Sequence, residues 1–187
     1  SPLRLLRGLA STYLEFIRNT PLLIQMFFWY FGAYQVLPAV VNDWLNQRDF
    51  EFAAAVIALT LYTAAFIAED IRSGVRAIPR EQMEAARASG FSYLRAMQHI
   101  ILPQAIRHTI PPLIGQFLNL TKNSSLAMTI GVAELTYQAR QIESYTFKGF
   151  EAFTAATLIY LALSLLITLA VTLYARRVRV PTGGLAT

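Results

Sequence analysis

Two long stretches without charge constrain the fold of this chain more than any other feature. Residues 52–68 carry no charged side chain, and neither do residues 152–175, a run of 24. A helix needs about 20 apolar residues to cross the hydrocarbon core of a bilayer. Only 14% of the chain is charged, whereas soluble domains carry about 25%. The sequence therefore predicts an all-α protein with membrane-spanning helices.

Two further segments are weaker candidates for crossing the membrane. Residues 22–37 are uncharged, but they are too few unless residues 19–21 also lie in the membrane, and Arg18 bounds them. Residues 109–132 contain two prolines, two glycines and Lys122. Irregular or polar backbone at membrane depth is tolerated only where it is buried in protein or lines water. We expect four crossings, with residues 109–132 irregular and in the interior of a helical bundle.

The connecting loops alternate in charge. Residues 72–107 hold six arginines against two glutamates, whereas residues 38–51 and 133–151 each hold three acidic residues and fewer basic ones. Cytoplasmic loops of membrane proteins are enriched in Lys and Arg. The alternation predicts that the amino terminus, residues 72–107 and the carboxyl terminus, with Arg179, lie in the cytoplasm.

The chain offers little chemistry of its own. It has no cysteine, and its two histidines, His99 and His108, cannot hold a metal unaided. Neither lysine, Lys122 or Lys148, belongs to a G-x4-G-K-[ST] nucleotide-binding loop. The net charge of +5 comes from the basic cytoplasmic segments, so nucleic acid is not expected as a partner. We predict no catalytic residue, no metal and no cofactor in this chain.

A polar insert at residues 79–103 separates two of the apolar segments. Pro79 suits the first turn of a helix, Gly90 permits a sharp bend, and Pro103 is expected to end a second short helix. Apolar or small residues recur between them at intervals of three or four: Met83, Ala86, Gly90, Phe91, Leu94, Met97 and Ile101. The pattern alone fits an amphipathic helix on lipid headgroups, a helix-turn-helix, or a docking element for a cytoplasmic partner.

The spacing within this insert resembles that of a known transporter motif. Glu84-Ala85-Ala86, then Gly90, then Ile100 to Pro103 follow the pattern EAA-x3-G-x9-I-x-L-P. This pattern is similar to the EAA loop of ABC importer permeases. Residues 13–32, 68–74, 102–113 and 119–135 also resemble recurring segments of the polar amino-acid permeases in that group.

The resemblance implies a type I importer permease fold, with residues 1–187 as one transmembrane domain and residues 79–103 as its coupling loop. In such permeases the EAA helix sits in a groove of a separate ATP-binding subunit, which binds ATP and magnesium. The implied partners are a dimer of that subunit, a second permease subunit (identical or homologous), an extracytoplasmic amino-acid-binding protein and the lipid of a bacterial inner membrane. Because these permeases usually have at least five spans, we expect a first span before Ser1.

Lys122 is the leading candidate for the substrate path. A charge at membrane depth costs about 2.5–3.5 kcal/mol or more, so it usually faces a cavity or a partner. Three polar residues beside it are further candidates: Asn119, Asn123 and Ser124. The alternative is that Lys122 is shallow and reaches an interface.

Glu69 and Arg72, at the cytoplasmic end of the span of residues 52–68, are gate candidates. Their simpler interpretation is an ion pair three residues apart on one helix end, worth about 0.2–0.5 kcal/mol. Gln25 and Gln116 are weaker path candidates, because a buried glutamine commonly bonds a neighbouring helix.

The segments IRNTP, FFWY and TKNSS look most like those of permeases for acidic amino acids, and a lysine in the path would suit glutamate or aspartate. The predicted function is therefore the permease subunit of an ATP-driven importer of polar amino acids. The alternatives are a stand-alone channel or an ion-coupled transporter, which would show carboxylates inside the spans, and a membrane-anchored DNA-binding regulator. No carboxylate inside the spans is clearly placed by the sequence.

Overall fold

A computed structural model describes residues 2–47 and 49–177, and every regular element within them is helical. Arg48 and the carboxyl-terminal residues 178–187, with Arg179, lie outside the described residues. The α-helices are α1 (Pro2–Arg18), α2 (Leu22–Phe27), α3 (Ala33–Val36), α4 (Ala39–Asn46), α5 (Phe50–Arg76), α6 (Arg80–Ala88), α7 (Tyr93–Ala96), α8 (Leu102–Asn123), α9 (Leu135–Thr146) and α10 (Gly149–Arg177). Two π-helical turns (Phe28–Gly32, Met97–Ile101) and a 3₁₀ helix (Ser124–Ile130) join some of them.

The two predicted long spans are confirmed as helices. Residues 52–68 lie within α5 (27 residues) and residues 152–175 within α10 (29 residues). Among the described residues, these two helices are long and apolar enough to cross a bilayer, with mean hydropathies of 1.9 and 2.3 in their most apolar windows. Only 6% of that window in α10 is buried inside the chain, so α10 exposes most of its apolar surface.

The two weaker candidates are also helical, but in different ways. From Leu22 to Val36 the chain is continuously helical through a π turn, for a length of about 22 Å. The irregular backbone expected over residues 109–132 is confined to its second half. Helix α8 runs through Pro111 and Pro112 to Asn123 without a break, and only then becomes 3₁₀. The carbonyls that lose their donors to the prolines belong to residues 107 and 108, both of which are exposed.

The contacts divide the chain into two compact units. The first contains the residues up to Ala65 and Leu118–Leu166. Its core surrounds Met26, which is fully buried, and its other buried members are Ala54, Ala55, Ala58, Ala127 and Ile130. Alanines let helices approach closely, as in other membrane bundles.

The second unit contains Phe66–Phe117 and the described residues from Ile167 to Arg177. Its core is a cluster of Ile78, Ile101 and Ala105. Gly74 on α5 faces Thr109 on α8 so closely that an added Cβ would collide with the Thr109 hydroxyl. A glycine is therefore required at this helix contact.

Candidate functional site

The polar insert forms two helical segments with a sharp bend, as predicted. Helix α6 ends at Ala88, and Gly90 has φ +87°, a left-handed conformation that glycine adopts without strain. The Gly90 N–H donates to the Arg87 carbonyl at 3.0 Å, and the Phe91 N–H to the Ala86 carbonyl at 3.1 Å. Together these bonds satisfy the open carbonyls at the end of α6 and fix the direction of the chain.

The prediction that Pro103 ends a second short helix is wrong. The helix that starts at Tyr93 passes through the π turn Met97–Ile101 and continues into α8. Proline disrupts an α-helix because its ring meets the carbonyl four residues earlier and its N–H is absent. A π turn directly before Pro103 widens the backbone at that point, so the helix accommodates the ring and continues.

The EAA residues point in two directions. Ala86 is only 5% exposed and packs inward, whereas Glu84 and Ala85 are exposed on α6. Beyond the bend, Phe91 and Leu94 are also exposed, Leu94 by 70%. The tip of the insert therefore presents a carboxylate, a small side chain and two apolar side chains on its outer surface.

Lys122 lies in the last turn of α8 and is exposed. It lines a cavity of about 240 Å³ together with Ser125, Thr157 and Tyr160. All four side chains offer polar atoms, and Lys122 supplies a positive charge. A cation in the last turn also complements the negative end of the helix dipole.

The polar neighbours proposed from sequence occupy different surroundings. Asn119, Asn123 and Ser124 are not among the residues that line the Lys122 cavity. The Ser124 hydroxyl donates to the Thr121 carbonyl at 2.8 Å, and that of Ser125 to the Lys122 carbonyl at 2.7 Å. The two serines thus bond carbonyls in the last turn of α8, where the chain passes from α-helix to 3₁₀ helix.

Sequence reasoning missed a carboxylate beside this cavity. Glu134 caps α9 by accepting the backbone N–H groups of Thr136 and Tyr137, at 2.9 and 2.7 Å. Its carboxylate also accepts the hydroxyl of Tyr160 on α10 at 2.8 Å, and Tyr160 lies 3.2 Å from the Thr136 hydroxyl. The local signal was an acidic N-cap just before a helix; the contact with α10 spans 26 residues and leaves no sequence pattern.

The gate candidates, Glu69 and Arg72, form the ion pair that is their simpler interpretation. Glu69 and Arg72 make an ion pair three residues apart, although α5 continues past them to Arg76 and does not end there. Gln116 donates to the carboxylate of Asp70 at 2.8 Å, which confirms the interpretation that it bonds a neighbouring helix. A gate role for Glu69 and Arg72 stays a prediction.

Within the described part of the chain, no cluster of three or more His, Asp or Glu side chains could hold a metal ion. What the helices do offer is long apolar spans, a polar insert with an exposed tip, and a charged cavity. Long apolar helices of this kind, joined by a polar insert, are typical of a polytopic helical membrane protein.

Comparison with known proteins identifies the class more closely. Residues 1–180 match the model of the family "Binding-protein-dependent transport system inner membrane component". The chain belongs to this family. Its relatives include the "Probable glutamine ABC transporter permease protein GlnM" of Bacillus subtilis, 46% identical over 92% of this chain and 76% of the relative. Another is the "Glutamate/aspartate import permease protein GltJ" of Escherichia coli K12, 37% identical over 96% of this chain and 75% of that protein.

A solved structure agrees with the fold. The chain superposes with a TM-score of 0.82 on a chain titled "Crystal structure of an amino acid ABC transporter with histidines". The two are 36% identical, and the match covers 95% of this chain and 78% of the other. The chain is therefore an amino-acid ABC permease of the polar amino-acid group, a transporter subunit rather than an enzyme.

Proposed function

We propose that this permease carries acidic amino acids, glutamate or aspartate, into a bacterial cytoplasm, driven by ATP hydrolysis in separate subunits. Substrate is delivered outside by a binding protein and crosses between this chain and a second permease subunit, identical or homologous. ATP and magnesium bind to the partner dimer. Family membership favours this mechanism over a stand-alone channel or an ion-coupled transporter.

The coupling role of residues 79–103 is supported by the shape of their tip. Glu84 and Ala85 are exposed together with Phe91 and Leu94, although large apolar side chains are costly to leave in water. A partner groove would cover them. Gly90 and Ala86 hold the bend, and Pro103 lies in the helix that follows it. The insert and the carboxyl terminus lie on the cytoplasmic side in this proposal, in accord with the loop charges.

The observation that carries the acidic specificity is the cavity of Lys122. Lys122 is exposed at the mouth of an open cavity, and its ammonium group attracts a carboxylate that enters there. Glutamate and aspartate carry one more carboxylate than glutamine. The names of the relatives include both substrate types, so the specificity depends on the site and not on the family.

Lys122→Met tests this proposal, with Lys148→Met as the matched control because Lys148 is exposed and precedes α10. With the same binding protein supplied, Lys122→Met should lower glutamate uptake about tenfold or more, equivalent to 1.4 kcal/mol. Glutamine uptake should change less, and Lys122→Arg should keep part of the glutamate uptake since it keeps the charge. Equal uptake by Lys122→Met and Lys148→Met would contradict a path role.

A further inference from the structure

The chain breaks between α1 and α2, and a buried side chain holds the break. Asn19–Pro21 are not helical, and Pro21 has an extended ψ of 137°. Gln25, only 5% exposed, donates its Nε2 group to the carbonyls of Ile17 and Thr20 at 2.8 and 3.0 Å. As expected, this glutamine bonds a neighbouring helix. The break is thus held by two hydrogen bonds from Gln25, which satisfy the carbonyls of Ile17 and Thr20.

Contacts with α5 give the depth of this break. The Tyr13 hydroxyl on α1 donates to the Leu61 carbonyl at 2.7 Å. The midpoint of the uncharged run 52–68 is Thr60, so Leu61 lies within about 2 Å of the middle of the span at 1.5 Å per residue. Thr20, in the break itself, lines the same cavity as Leu61. The break therefore lies near the middle of the bilayer.

The next contacts show how the crossing continues. Met26 packs among the alanines of α5 nearer its start, including Ala54, and the rings of Tyr30 and Phe50 are 5.8 Å apart. The stretch from Leu22 to Tyr30 thus runs antiparallel to α5, from mid-depth to its Phe50 end. Its length of about 14 Å is roughly half of the ~30 Å of a hydrocarbon core. The end of α1 must supply the missing depth, so one crossing consists of two helical pieces.

This geometry puts two charges deep in the membrane. Glu15 and Arg18 lie about 160° and 140° around α1 from Tyr13, at 100° per residue, on the side away from α5. Both are exposed, and Asn19 joins them by donating to the Glu15 carboxylate at 3.2 Å. Phe16, 65% exposed, lies about 160° from Arg18. The two sides of α1 therefore suit different surroundings.

Lipid cannot cover the charged side cheaply. A carboxylate such as that of Glu15 would cost about 2.5–3.5 kcal/mol or more at the centre of the bilayer, and its short side chain cannot reach an interface some 15 Å away. Water solvates charges of both signs, and interrupted helices at mid-depth commonly border the passage of a transporter. We propose that Glu15, Arg18 and Asn19 line the aqueous passage of the assembled permease. This rests on the proposed transport function but not on its acidic specificity.

Cysteine labelling tests the proposal, because the chain has no cysteine of its own. Asn19→Cys is compared with Gln47→Cys, exposed in a loop, and with Leu165→Cys, 60% exposed near the middle of α10. The complete transporter in vesicles is treated on both sides with a charged methanethiosulfonate, without nucleotide and with the ATPase trapped. Since only the thiolate reacts, and it forms in water, Asn19→Cys should react within about tenfold of Gln47→Cys. It should react about 100-fold faster than Leu165→Cys in at least one state.

Two results would overturn the assignment. One is an Asn19→Cys rate as slow as that of Leu165→Cys in every state, which means that lipid or packed protein covers the break. The other is reaction only after the permease subunits are separated, which means that the charged side belongs to their interface. If Asn19→Cys does not assemble, Arg18→Cys takes its place with the same comparisons. Labelling is measured without substrate, so a failure of glutamate specificity would leave this test unaffected.

Discussion

Replacement of Gly90 tests how much the backbone conformation of the coupling loop contributes to stability, apart from the contacts of its side chains. The residue has φ +87°, and a Cβ built on it would meet no atom of the described residues within 4 Å. Gly90→Ala therefore introduces no clash in the chain itself, and its whole intramolecular effect is backbone strain. Gly90→Asn is the matched control, since asparagine tolerates the left-handed conformation better than alanine does.

The strain has a definite size. A residue with a Cβ costs about 1–2 kcal/mol in this conformation. For a chain of 150–250 residues, 1 kcal/mol lowers the unfolding midpoint by about 2–4 °C. Gly90→Ala should therefore lower the thermal midpoint by about 2–8 °C, and Gly90→Asn by clearly less.

The assay uses the full transporter, purified through a tag on this chain. The thermal midpoint reports the strain, while the amount of co-purified ATP-binding subunit and the ATP hydrolysis rate report docking. Glu84→Lys changes the exposed surface without straining the backbone. Because Glu84 is exposed, reversing its charge should leave the thermal midpoint unchanged. We expect Glu84→Lys to reduce docking and hydrolysis without lowering the midpoint.

A normal midpoint for Gly90→Ala would refute the argument from φ, because the added Cβ gains no compensating contact with the part of the chain that the structure describes. Full docking and hydrolysis in Glu84→Lys would instead refute the assignment of the exposed tip as the partner surface.

Three other changes have expected outcomes. Gly74→Ala should destabilise the protein by about 1–3 kcal/mol through overpacking. Adding Thr109→Ala removes the hydroxyl that the new Cβ meets, so the double variant should recover part of the lost thermal midpoint. Additive losses in the double variant would contradict this contact. Tyr160→Phe removes a hydrogen bond to the Glu134 carboxylate and should cost about 1.5–3 kcal/mol; an unchanged midpoint would show that the bond contributes nothing net. In cells, an impermeant thiol reagent should label Gln47→Cys from outside and Ser92→Cys only after the membrane is opened, and the reverse pattern would overturn the orientation.

Features with a local cause could be predicted from the sequence. The long spans follow from uninterrupted apolar runs, and the bend at Gly90 follows from a residue that alone adopts its φ without strain. The expectation for Pro103 failed because the rule against proline in helices assumes an α-helical turn before it, and a π turn replaces that turn here. The loop charges predict which segments lie in the cytoplasm, and that orientation stays a prediction. Tyr13 brings α1 to the middle of α5, a contact that the loop charges do not indicate.

The features that could not be predicted depend on contacts between residues that are far apart in the sequence. Tyr13 and Leu61 are 48 residues apart, and no sequence pattern predicts a single hydrogen bond from a hydroxyl to a helix carbonyl. The cavity of Lys122 joins α8 to residues more than 30 positions later. Polar contacts of this kind depend on which helix faces meet, and apolar periodicity alone does not determine that.

The sparse burial of α10 bears on how the polypeptide enters the membrane during synthesis. Its packing within this chain is concentrated near its start, where Ala152 and Ala156 meet Ala139. Leucine, isoleucine, phenylalanine and valine each favour insertion by about 0.3–0.6 kcal/mol at the centre of a span, and α10 has many of them. Its transfer from the translocon into lipid is therefore favourable before any tertiary contact forms. Insertion of the segment with Pro111, Pro112 and Lys122 is less favourable on its own. Its position in the membrane depends on packing against the neighbouring helices.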